Sequence, residues 1–141
     1  GCDKWLELTR YDDFTACHRA LKERGFSIQV SAVRDGARSL FELKFDQKVA
    51  LVFGNERFGV SDEVLSLADG VFWLPMLGFT QSLNISAAAS ACITHAVAWR
   101  LEHLGRHGDL PEGDAAVLRD RFKLLSVKQR GRLYGAHVKR G

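Results

Sequence analysis

The chain has 141 residues, 46% of them hydrophobic and 26% charged, with no low-complexity tract, which suits one ordinary globular domain with a real core. No apolar run approaches the roughly 20 residues of a membrane helix, and Gly1-Cys2-Asp3-Lys4-Trp5 carries no signal-peptide pattern, so a cytoplasmic protein without a membrane partner is expected. The formal charge of +3 is unevenly divided, because Leu118 to Gly141 hold eight Lys/Arg against one acid, a net of +7 on a body of net −4.

Trp5 to Thr9 alternates apolar and polar residues, as a half-buried strand does. Asp12 and Asp13 can cap a helix in which Phe14, Cys17, Leu21 and Ala20 recur at helical spacing until Gly25. Ser27 to Val33 returns to strand character, and after the Asp35-Gly36 turn a short helical piece is predicted around Ser39 to Leu43. Lys48 to Phe53 is continuously apolar, as expected of a strand covered on both faces of a parallel sheet. Ser61-Asp62-Glu63 reads as a helix start, with Val64, Leu65, Leu67 and Ala68 on its apolar side, and Val71 to Leu74 as the next strand, closed by Pro75. A long helix is predicted from about Ser82 to Leu104, and its first turns, Ala87 to Ala91, have little side-chain bulk. Residues 105–113, with Pro111, form a linker of turn formers. The last segment, from about Asp114 to Tyr134, is expected to be helical with Val117, Leu118, Phe122, Leu125 and Leu133 on one face. Strands alternating with helices predict an α/β fold, a mostly parallel sheet flanked by helices.

Cys2, Cys17 and Cys92 are odd in number and scattered, which predicts free thiols in a reducing compartment. Cys92 reads as a small buried hydrophobe. His103 and His107 are four apart with Gly105 between them near a helix end, so no metal is proposed. Trp73 and Trp99 are most simply core residues. The basic end is a candidate phosphate-backbone contact through Arg119, Arg121, Lys123, Lys128, Arg130 and Arg132, with a solvated helix face as the alternative.

Chemistry concentrates in two loops that follow apolar strands. In the first, Gly54-Asn55-Glu56 with Gly59, a glycine directly after a buried strand lets the backbone turn sharply and lets a ligand approach the main chain. Glu56 at a sheet's carboxyl edge can accept from a ribose hydroxyl or orient a reacting group, or it is a solvated loop carboxylate. The glycine spacing matches neither a dinucleotide fingerprint nor a P-loop. In the second loop, Leu74 and Met76 flank Pro75 as apolar walls suited to the flat face of an adenine. Ser82 and Asn84 can serve a site or cap the following helix.

Taken together, L-V-F-G-N-E-R-F-G-V-S-D-E and L-P-M-L-G-F-T-Q-S-L-N-I-S-A-A-A resemble the second and third motifs of the SPOUT methyltransferases, and most of all the TrmH-type RNA ribose 2′-O-methyltransferases. Nearly the whole chain takes part: residues 1–104 are similar to the later part of the catalytic domain, residues 105–113 link, and residues 114–141 are similar to the basic extension of tRNA-specific members. The resemblance implies a C-terminal trefoil knot, with the chain after Leu74 threaded through an earlier loop, which periodicity could not reveal. It implies S-adenosyl-L-methionine held near Phe53, Gly54, Asn55, Gly59, Leu74, Met76, Ser82 and Leu83, and a site shaped by Glu56, Ser82 and Asn84. It also implies a homodimer acting on RNA, with tRNA and the guanosine at position 18 of its D-loop expected ahead of rRNA. The family's first motif, with an Asn and an Arg, has no counterpart before Trp5. Either these residues belong to a longer enzyme, or the chain is a SAM-binding or RNA-binding module without catalysis.

Overall fold

The computed structural model describes residues 5–79 and 83–126, and its chain divides into two compact units, residues 11–108 and residues 1–10 with 109–141. The larger unit is built on a four-stranded sheet of β1 (Ser27–Ser31), β2 (Arg38–Ser39), β3 (Val49–Phe53) and β4 (Gly70–Trp73), ordered β2-β4-β1-β3 with every pairing parallel. Helices α1 (Phe14–Glu23), α2 (Asp62–Ser66) and α3 (Ile85–Leu104) connect or follow the strands, so the architecture is the α/β fold expected from the sequence.

Local chemistry explains where the elements start. The Asp13 side chain caps α1 by accepting from the Ala16 N–H at 2.7 Å, and Ser61 caps α2 by accepting from the Val64 N–H. The helical piece expected around Ser39 to Leu43 is a single 3-10 turn, Leu40–Glu42, closed by a capping box in which the Ser39 N–H donates to Glu42 Oε2 at 2.7 Å. Asp69, just before β4, accepts from the Ile28 N–H and from Lys22 Nζ, each at 2.8 Å, fixing β1 and α1 to the strand.

Strand alternation divides the buried side chains between the two sheet faces. Ile28 and Val30 of β1 are fully buried on one face. On the other, Cys92, Ala96 and Trp99 of α3 pack with Leu51, Phe53, Phe72, Leu40, Leu43 and Phe45. Arg100 joins this layer by donating to the Phe45 carbonyl at 2.6 Å. In the middle of β1, Gln29 is a buried polar residue, its amide donating to Ser27 Oγ at 2.9 Å.

Trp5 to Thr9 is not a strand. Alternation permits a strand only where a sheet edge accepts the segment's hydrogen bonds, and within the smaller unit Trp5 instead meets Phe122 edge to face, with ring centroids 5.3 Å apart. The last helix, α4 (Glu112–Ser126), starts two residues earlier than predicted, and its remainder up to Tyr134 lies outside the described residues. Leu118, Phe122 and Leu125 form its half-buried face as expected, whereas Val117 is 72% exposed, being about a quarter turn off that line.

Candidate functional site

Parallel strands deliver their carboxyl ends to one edge of a sheet, and ligands of open α/β sheets sit in crevices there. In the larger unit a cleft of ≈ 200 Å³ opens at the ends of β1, β3 and β4, below the roughly 300–1,000 Å³ of most ligand sites, so as it stands it takes part of a cofactor-sized molecule. Its walls are largely apolar: Phe53, Trp73, Leu74, Met76, Leu83 and Ile85. Glu56 supplies the carboxylate at its rim.

The first loop is closed by its own backbone. The Asn55 N–H donates to the Gly59 carbonyl at 2.8 Å and the Gly59 N–H returns to the Asn55 carbonyl at 2.7 Å, a bridge that requires Gly59 in the left-handed region at φ +68°. Asn55 Oδ1 also accepts from the backbone N–H of Arg57 at 2.7 Å and of Phe58 at 3.3 Å. A Cβ on Gly54 would overlap backbone atoms of Gly59 and Val60, so the absent side chain makes room for the returning loop itself. Glu56 sits at the tip of this loop, and the Arg57 guanidinium lies 5.2 Å from the centroid of the exposed Phe58 ring.

At the second loop, Asn84 is the N-cap of α3, its Oδ1 accepting from the Ser86 N–H at 2.9 Å. Ser82 lies outside the described residues. Ala88, one of the small residues opening α3, reaches the cleft wall. Of the residues expected at a cofactor or catalytic site, Phe53, Gly54, Glu56, Leu74, Met76 and Leu83 are brought together around one cleft. Asn55, Gly59 and Asn84 stand beside it, engaged in the backbone contacts just described.

Sequence reasoning missed Ser31, Ala32 and Val33 at the end of β1, and it read Trp73 as simple core although it lines the cleft. The available signal was the predicted strand end itself. Only the strand order, which puts β1 between β4 and β3, shows that this end borders the two loops.

In the smaller unit each described candidate RNA-contact residue has an acidic neighbour. Arg119 pairs with Glu112 at 2.5 Å, Arg121 with Glu7 at 3.3 Å and Lys123 with Asp120 at 3.1 Å, all with substantial exposure. Lys128, Arg130 and Arg132 lie outside the described residues. Among the described helices none is long and apolar enough to cross a membrane.

Comparison with known proteins agrees with this geometry. The tRNA (guanosine(18)-2'-O)-methyltransferase of Thermus thermophilus is 43% identical over 102 residues, which cover 72% of this chain and 53% of that protein. The chain therefore spans about half the length of that relative. Among solved structures, the A. aeolicus TrmH/SpoU tRNA modifying enzyme superposes with a TM-score of 0.71 at 28% identity, over 89% of this chain and 64% of the other. The SpoU methyltransferase AviRb from Streptomyces viridochromogenes, solved in complex with the cofactor AdoMet, gives a TM-score of 0.55 at 28% identity over 63% of this chain and 36% of the other. The sequence model of the SpoU rRNA Methylase family matches residues 1–94, and with both motif loops meeting at one cleft, the chain belongs to that family.

Proposed function

We propose that this chain carries the cofactor side of an S-adenosylmethionine-dependent RNA ribose 2′-O-methyltransferase that acts on tRNA, with the guanosine at position 18 of the D-loop as its target. The observation that carries the reading is the meeting of the Gly54-to-Gly59 loop and the Leu74-to-Met76 segment at one apolar cleft with Glu56 at its rim. The lining fits the cofactor: Phe53, Trp73, Leu74 and Met76 give flat apolar walls for an adenine at the carboxyl ends of the strands. When bound, S-adenosylmethionine supplies an electrophilic methyl group on a sulfonium sulfur.

The remaining work is placement. Methylation of a 2′-hydroxyl releases its proton, so the protein would gain most by fixing the ribose against the bound methyl donor and by accepting that proton's hydrogen bond. Phe53, Leu74, Met76 and Leu83 hold the cofactor and exclude water, while Gly54 and Gly59 keep the loop compact. Glu56 orients the ribose, Ser82 serves the same chemistry, and Asn84 contributes by fixing where α3 begins. The residues after Leu74 form a trefoil knot in this reading, and the small side chains of Ala87 to Ala91 give the helix room beside it.

Helix α3 is apolar on its outer side as well as its inner one: Ile93 is 59%, Val97 38% and Leu101 50% exposed. A helix of that kind is normally covered on both sides, and the cover proposed is a second copy, making a homodimer. The basic residues Arg119, Arg121, Lys123, Lys128, Arg130 and Arg132 contact RNA phosphates, the three described ones exchanging an acidic partner for a phosphate. The family's description favours rRNA as a second substrate reading. Tritiated methyl transfer to tRNA and rRNA transcripts, followed by ribose-methylation mapping, tests both. Incorporation at a D-loop guanosine is expected, incorporation confined to rRNA transfers the assignment to them, and no transfer by the complete gene product refutes the enzyme.

A further inference from the structure

We infer that Asn55 is a positioning residue, whose side chain holds Glu56 at the cleft by stapling the loop from within; this rests on the proposed methyltransferase reading. Its Oδ1 accepts from two consecutive backbone N–H groups beyond Glu56, those of Arg57 at 2.7 Å and Phe58 at 3.3 Å. The same residue's backbone makes both hydrogen bonds of the bridge to Gly59. Glu56 is thus the residue enclosed between an anchor at Asn55 and the amides that anchor binds, and it is the loop side chain that lines the cleft.

Each fixed letter of the G-N-E-x-x-G string then has a separate physical task. Gly54 leaves room for the Gly59–Val60 backbone, Asn55 satisfies the amides of the turn, and Gly59 takes the left-handed conformation that closes it. None of these three tasks needs a ligand, which leaves Glu56 as the chemical letter. A loop whose tip residue must meet a ribose within a few tenths of an ångström gains from being rigid before the RNA arrives, since misplacement by about 1 Å costs on the order of 100-fold in rate. Aspartate preserves the acceptor at the same reach, alanine removes it, and glutamine carries it one methylene too far.

The test compares Asn55→Ala, Asn55→Asp and wild type in the complete protein by three readouts: kcat and KM for tRNA methylation, SAM affinity by calorimetry, and amide hydrogen exchange at Arg57. Expected for Asn55→Ala are a kcat lower by about 10-fold or more, SAM affinity changed by less than about 3-fold because the apolar walls are untouched, and faster Arg57 exchange. Asn55→Asp is expected to recover most of the kcat and the slow exchange. Wild-type kcat and exchange in Asn55→Ala overturn the proposal, as does a loss that Asn55→Asp fails to recover in either readout. If wild type transfers no methyl group, the methyltransferase reading fails separately, and unchanged Arg57 exchange in Asn55→Ala still overturns the staple.

Discussion

Replacing Gly54 by alanine attacks the cleft through a single atom. The new Cβ would lie inside the van der Waals envelope of the Gly59 carbonyl group and 2.5 Å from the Val60 nitrogen, all of them backbone atoms that cannot swing aside like a side-chain end. The loop must therefore open, giving up the paired Asn55–Gly59 hydrogen bonds of 2.8 and 2.7 Å, worth about 1 kcal/mol each. Relieving the overlap by a backbone shift instead costs a similar amount, about 1–3 kcal/mol. Against either stands the gain of about 0.4–1 kcal/mol that alanine brings by restricting the unfolded chain. The net expectation is a loss of about 1–1.5 kcal/mol, read as a melting temperature lower by about 3–5 °C, together with weaker SAM binding because Gly54 lines the cleft. The control is Gly78→Ala, where an added Cβ meets nothing within 4 Å and stability should stay within about 0.5 kcal/mol. Thermal unfolding followed by circular dichroism, with calorimetric SAM titration, measures both. A Gly54→Ala protein that melts with wild type and binds SAM equally well refutes the close-approach reasoning.

Three further outcomes follow from the packing. Cys92 is fully buried and burial pushes its thiol up to about 11, so in a Cys2→Ser/Cys17→Ser background the protein should resist Ellman's reagent at pH 8 until denatured. Because the folded thiol holds its proton longer than the unfolded one, that contribution is intact below pH 9 and is lost as pH rises from 9 towards 11, which Cys92→Ala should flatten. Hydrogen bonds from Lys22 and from the Ile28 N–H hold Asp69 below its usual carboxylate range, so its contribution is present above about pH 4 and lost as pH falls through its folded value. Asp69→Asn should cost about 0.5–1 kcal/mol at pH 7, discounted because both partners of the ion pair are over a third exposed, and the gap in urea midpoint should close on acidification; a gap independent of pH contradicts this. Ile93→Lys with Val97→Glu should turn a dimer into a folded monomer by sedimentation analysis, and a wild-type monomer at high concentration removes the proposed interface.

The fold was legible in the sequence wherever one periodicity dominated. Val49–Phe53 read as a strand from its unbroken apolar run, although at the edge of the described sheet it is half-buried rather than covered on both faces, and Ser61 and Asp13 announced their helices by capping chemistry. Trp5 to Thr9 shows the limit, because alternation specifies a side-chain pattern but not the neighbouring edge that would pair with it. The helix expected from Ser82 begins at Ile85 because Asn84, two residues after Ser82, takes the cap. Val117 was assigned to the packed face of α4 by hydrophobicity alone, and helical geometry puts it outside. At the site, the motif loops were visible as strings, yet their three-dimensional meaning divided in a way that spacing does not encode. Glu56 lines the cleft while its neighbour Asn55 turns inward to the loop's own amides, and the end of β1 joins the wall only through strand order.

The proposed S-adenosylmethionine site lies at the carboxyl ends of β1, β3 and β4. Titrating the complete protein with S-adenosylmethionine while recording backbone amide spectra measures this directly. The account predicts saturable 1:1 binding, with the largest shifts at Ser31 to Val33, Phe53 to Gly59 and Trp73 to Ala88. Saturable binding whose shifts fall elsewhere, or no binding at millimolar cofactor, would contradict it.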